Sequence, residues 1–151
     1  MIEDWIDNLA KRWEISDGKG GTVRSYRVFE RNEFPETITD PPCVLTIPKR
    51  VVYKYSSGSQ YALHYGISEF HLTLDAKKER LPEMIRYYHR ILVAAAGDVT
   101  LGGLVEYFML SQEEGEGSLI GPAELKYGGE EPHWGIVANW IVKESLSITV
   151  A

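Results

Sequence analysis

One cysteine, Cys43, is the whole thiol inventory of this chain. A lone thiol excludes an internal disulfide framework and any Cys-x-x-Cys redox or metal motif. Its setting, Pro41-Pro42-Cys43-Val44-Leu45-Thr46-Ile47-Pro48, is apolar, so Cys43 reads as a small buried hydrophobe. No apolar run approaches the roughly 20 residues that a membrane-spanning helix needs. The first residues, MIEDWIDNLAKRW, carry acids where a signal peptide carries positive charge, which predicts a soluble protein made in a cytoplasm. Internal repeats and low-complexity tracts are also missing.

Motifs of catalysis are equally scarce. There is no Gly-x-Ser-x-Gly elbow, and Ser57-Gly58-Ser59 belongs to a turn. Gly97-Asp98-Val99-Thr100-Leu101-Gly102-Gly103 has the glycines of a phosphate-cradling loop but not the lysine that should follow, so it reads as a helix stop. Carboxylates for acid–base work would come from Asp75, Asp98, Glu106 or the Glu113–Glu116 loop. That loop is glycine-spaced, whereas a general acid needs burial or a like-charged neighbour to tune it. The four histidines, His64, His71, His89 and His133, show no His-x-x-x-His spacing. Only Glu69, His71 and His133 offer a candidate pocket, and only if the last strand pairs near Glu69. Neither a metal nor another cofactor is expected.

What is present is the material of one ordinary globular domain spanning residues 1–151, with 44% hydrophobic and 25% charged residues. A net charge of −6 argues against a phosphate-backbone binder, which usually shows a basic stripe. The charge is uneven, however. Lys49, Arg50 and Lys54 cluster, as do Lys77, Lys78, Arg80, Arg86 and Arg90, whereas Glu113, Glu114 and Glu116 make an acidic loop. Unlike patches of this kind can orient neighbouring subunits, although solvated faces are commoner.

The apolar periods predict the elements. Ile2, Trp5, Ile6, Leu9 and Trp13 form one face of a helix, with acids early and Lys11 and Arg12 late, as the helix dipole prefers. Glycines 18, 20 and 21 end it, and Val23–Phe29 is extended. Pro35, Pro41 and Pro42 mark an irregular crossover. Strands are predicted at Cys43–Ile47, Val51–Tyr55 and Tyr61–Leu74, the last two joined by Ser56-Ser57-Gly58-Ser59. A second helix opens at Pro82, with Leu81, Ile85, Tyr88, Leu92 and Ala95 as its buried stripe and Gly97 as a left-handed cap. Strands at Val105–Leu110, Glu124–Tyr127 and Trp134–Val142 follow. In the last of these Trp134, Ile136, Ala138, Trp140 and Val142 share a face, while Val137 and Ile141 make the other face partly apolar. The order predicts an α+β fold, a mostly antiparallel mixed sheet with two amphipathic helices packed on one face.

Tyr53, Tyr55, Tyr61 and Tyr65 surround one hairpin, interleaved with Lys49, Arg50 and Lys54. Aromatics beside bases suit either a nucleic-acid stacking platform or a protein interface, and the acidic balance of the chain favours the interface. The candidate contact residues are therefore Tyr53, Lys54, Tyr55, Tyr61 and Tyr65 on the hairpin, and Glu113, Glu114 and Glu116 on the acidic loop.

In element order and size, the chain resembles the tail terminator and tail-completion proteins of long-tailed bacteriophages and related prophages. The carrying features are the helix Ile2–Trp13, the Pro-Pro-x-Val-x-x-x-Pro segment at Pro41–Pro48, the hairpin after it and the helix Leu81–Ala96. Gly102-Gly103 and the Gly-Gly-x-x-Pro stretch Gly128–Pro132, which precedes the last strand, complete them. The loop Gln112–Pro122 has no counterpart in that pattern. The resemblance implies a non-enzymatic virion tail protein, assembled in the host bacterial cytoplasm. It further implies a homo-oligomeric ring, typically a hexamer, that caps the tail tube protein and offers a surface to a head-completion or neck protein. No membrane and no sequence-specific nucleic acid is expected as a partner. The alternatives are another tail or neck component, such as a tube or minor tail protein, and a small ligand-binding or enzymatic domain.

Overall fold

Residues 5, 6, 9 and 13 bury one face of the first helix, as their spacing predicts. In the computed structural model, which describes residues 2–28, 42–56, 59–73, 81–111, 117–125 and 133–146, α1 spans Ile2–Arg12. Trp5, Ile6, Leu9 and Trp13 are fully buried in the main core. The other elements are β1 (Arg24–Arg27), β2 (Cys43–Ser56), β3 (Ser59–Thr73), α2 (Leu81–Ala96), β4 (Tyr107–Leu110), β5 (Leu119–Leu125) and β6 (His133–Leu146).

The six strands form one mixed sheet in the order β1-β2-β3-β6-β4, with β5 also on β6. Only β1 with β2 is parallel, and the other pairs are antiparallel. β6 is central. Along one edge it takes β3, and along the other β4 at residues 140–143 and β5 at residues 133–138. On the face away from the helices Ile141 is buried with Leu63 and Tyr65, while Val137 is half-buried. Both helices roof the face that carries Phe70, Ile136, Ala138, Trp140 and Val142. The fold is thus α+β as expected.

Aromatic rings join roof and sheet edge to face. Trp13 meets Phe70 at 5.5 Å and Phe108 at 5.9 Å between centroids, and Trp5 meets Trp140 at 6.1 Å. Trp140 lies opposite Gly66 on β3, and a Cβ at Gly66 would fall inside its indole ring. The indole Nε1–H then donates to Ser68 Oγ at 3.1 Å. The glycine is required here by close approach, since any side chain would displace the ring.

Four local expectations are corrected. β2 is one continuous strand through Pro48, because a register shift between Pro48 and Arg50 absorbs the proline that the sequence reads as a break. β5 spans Leu119–Leu125 and so opens before the strand expected at Glu124–Tyr127, of which residues 126 and 127 lie outside the described residues. The buried stripe of α2 is Met84, Tyr87, Ile91 and Ala95, not the one through Ile85 and Leu92. Gly97 does not take a left-handed φ, and the end of α2 is closed from another element. The guanidinium of Arg12, on α1, donates to the carbonyls of Ala94 and Asp98 and pairs with Asp98 Oδ2 at 3.1 Å. A cation on the last carbonyls of a helix also suits its negative end.

Gly66→Val is expected to cost about 2–3 kcal/mol by overpacking against Trp140, although valine is a better strand former. Gly97→Ala, where a Cβ meets only ordinary contacts, should stay within about 0.5 kcal/mol. Urea unfolding of the two variants checks the contrast.

Candidate functional site

α2 has a second apolar side that is exposed among the described residues. Ile85 is 63% exposed, Leu92 49% and Val93 58%, and the stretch beyond the helix adds exposed Val99 and Leu104. Residues 85 and 92 are two turns apart and therefore share a line along the helix. A helix apolar on two sides is normally buried on both. The sheet takes the side through Tyr87, whose hydroxyl donates to the Asp17 carbonyl at 3.2 Å, with Arg90 Nη1 donating to the Ser16 carbonyl at 2.9 Å. These bonds strap the 16–21 loop onto α2 and fix which side faces inward.

The hairpin of β2 and β3 supplies a second unlike patch. Val51 pairs with His64 and Tyr53 with Ala62, so both sit on the helix-covered face, yet beyond the roof. Tyr53 is 64% exposed, and Val51 is exposed too. Lys49, Arg50 and Lys54 are exposed as well, but Arg50 and Lys54 pair with Tyr65 and Tyr61 and so belong to the opposite face. On the opposite face Tyr61 is half-buried, and Tyr65 is buried with Leu63 and Ile141 against Val52 and Tyr107. One face of each of these rings is occupied by a cation. Arg50 Cζ lies 4.5 Å over Tyr65, and Lys143 Nζ lies 4.4 Å over Tyr61. That occupancy works against base stacking there. Tyr55 pairs with Gln60 in the ladder, but its side chain is outside the described residues, as are Glu113, Glu114 and Glu116 altogether.

The structure brings Glu69, His71 and His133 together. His71 lies opposite Gly135, which has no side chain, and a Cβ there would strike the Phe70 backbone. His133 therefore reaches His71, with their Nδ1 atoms 3.1 Å apart, while His71 Nε2 lies 3.3 Å from Glu69 Oε2. One consistent proton arrangement has His71 Nε2–H donating to Glu69 and His133 Nδ1–H donating to His71 Nδ1. Both imidazoles are buried. Among the described residues no group of three His, Cys, Asp or Glu is arranged to hold a metal ion. Cys43, opposite His71 on β2, is no nucleophile either, because burial pushes its thiol up to about 12.

A second buried cluster gave no sequence signal, since its members are far apart and share no motif. Glu144 accepts from Trp5 Nε1 at 3.4 Å and lies 3.0 Å from His64 Nε2. Burial drives the His64 pKa down, against the opposing pull of Glu144. For Glu144, burial acts upward but is outweighed by hydrogen bonds, those of Trp5 and His64 among them, and its pKa is lowered. The pair is thus a neutral imidazole N–H donating to a carboxylate. His64 Nδ1, which has no partner among the described residues, carries the lone pair. A further polar cleft of about 320 Å³ lies between the 17–19 turn and the start of α2, lined by Asp17, Lys19, Glu83, Arg86 and Arg90 among others.

No family model and no curated protein matches the chain. Among the described residues no helix is long and apolar enough to cross a membrane.

Acid should destabilise the fold in two steps. His64 has a folded pKa below its ordinary 6.5, so its contribution is complete above 6.5 and is lost as the pH falls toward the folded value. Glu144 behaves alike below its ordinary 4.5. His64→Gln should flatten the upper step and leave the lower one, as read from urea unfolding between about pH 8 and pH 3.

Proposed function

We propose that this chain is a structural subunit of a bacteriophage or prophage tail, a tail terminator or tail-completion protein. In this reading copies assemble as a ring, typically a hexamer, that caps the tail tube and joins it to a head-completion or neck protein. The observation that carries the reading is the exposed apolar side of α2 together with a separate exposed apolar patch, Val51 and Tyr53, on the hairpin. Head-to-tail rings need two different patches per subunit. An enzyme does not need either. The element order shared with tail terminators supplies the biological setting, and another tail or neck component with the same element order is the nearest variant.

A second reading, a small ligand-binding or catalytic domain, draws on the Glu69–His71–His133 chain. It ranks below the first because both imidazoles are buried and the neighbouring thiol stays protonated. A fragment screen by NMR that shifted the His71 and His133 ring signals, and lost the effect in His71→Gln, would raise it above the first.

Native mass spectrometry and light scattering are expected to show a ring-sized species, or a monomer that assembles on purified tail tubes. A strict monomer that ignores tail tubes overturns the proposal. Tyr53→Ala should weaken assembly by about ten-fold or more while leaving the thermal transition nearly unchanged, because its side chain is outside the core.

A further inference from the structure

The polar cleft of about 320 Å³ has one wall on α2 and the other on the 17–19 turn. Both walls are fixed to each other at one end. Tyr87 Oη–H donates to the Asp17 carbonyl and Arg90 Nη1 donates to the Ser16 carbonyl at 2.9 Å. The Arg90 guanidinium also lies 5.1 Å over the Tyr87 ring, so this side chain is held in place before any ligand arrives.

Three cations, Lys19, Arg86 and Arg90, and two carboxylates, Asp17 and Glu83, line the cleft. Asp17 is turned into its own loop. Its Oδ1 accepts the Lys19 N–H at 2.7 Å and the Gly21 N–H at 3.1 Å, and its Oδ2 lies 3.1 Å from where a Gly21 Cβ would sit. The Lys19 charge offsets it further. On the helix wall Glu83 is then outnumbered by two guanidinium groups. Arg86 and Arg90 are four residues apart, neighbours on one side of α2, where like charges repel. Among the described residues neither has a carboxylate within ion-pair distance, and Arg86 is exposed with no hydrogen-bond partner. A counter-charge between them would relieve that repulsion.

We infer that this cleft binds a phosphate-class oxyanion, held between Arg86 and Arg90 on α2 and Lys19 on the turn. Guanidinium groups present planar forks of N–H donors that match the oxygens of a phosphate, and the lysine adds a point charge from the other wall. The cleft is at the small end of ligand pockets, which suits inorganic phosphate or the phosphate of a small monoester. Glu83 opposes the anion, and this gives the site a signed test. The inference goes beyond the tail reading and does not rest on it.

The test is an amide NMR titration with inorganic phosphate near pH 7.5, at ionic strength held constant with sodium chloride. Saturable shifts at residues 17–20 and 83–90 are expected, with a Kd of about 1–10 mM. Arg86→Gln and Lys19→Gln should each weaken binding by about five-fold or more, whereas Glu83→Gln should tighten it about two-fold. All three side chains are exposed, so circular dichroism should show each variant folded as wild type. A second arm uses glycerol 2-phosphate, a dianion at this pH. Binding tighter than that of inorganic phosphate supports a monoester as the source, and equal binding supports the free ion. No saturable shift up to about 50 mM of either probe overturns the site. Shifts that survive unchanged in Arg86→Gln and Lys19→Gln overturn it as well, and so does weaker binding in Glu83→Gln.

Discussion

The contact of the Trp140 indole with the bare backbone of Gly66 is the constraint on which the rest of the fold depends. It works only if β6 and β3 pair in one register, because a slip by one residue sends the indole to the opposite face. With that register set, Ser68 receives the indole N–H, Trp5 packs edge to face on the same ring, and α1 is located over the sheet. Trp13 then reaches Phe70 and Phe108, tying the far edge of the sheet to the same helix.

Arg12 extends this chain of dependence to the second helix. Its guanidinium closes the α2 C-terminus and holds Asp98, whose other carboxylate contacts cradle the backbone N–H groups of Thr100 and Gly102. The loop then runs through left-handed Leu101, Gly102 and Gly103 into the turn before β4. α1, α2 and β4 are therefore one mechanical unit, and the exposed side of α2 is presented on a fixed support.

Buried polar side chains in this molecule link elements that are distant in sequence. The His64–Glu144–Trp5 cluster lies under α1 with its carboxylate charged and its imidazole neutral, an arrangement that ties the last strand to the first helix. The Glu69–His71–His133 chain occupies the other face of the same sheet. Its proximity was legible as a condition in the sequence, namely that the last strand pair near Glu69, and β6 meets it.

Periodicity alone determined most of the elements: the α1 stripe, the alternation in β3 and β6, and the placement of helices between runs of strands. Those signals are local, since side-chain direction follows from spacing along a helix or strand. Tertiary structure decided what local spacing leaves open. α2 is apolar on two sides, so its pattern names two candidate inner faces, and only Tyr87 and Arg90 meeting the 16–17 backbone select between them. The same holds for Tyr53 and Tyr65, neighbours in composition but opposite in fate: one stands clear of the roof while the other is packed under Arg50. Burial depends on which chain segments arrive from a distance, and that information resides in the pairing of strands rather than in any window of sequence.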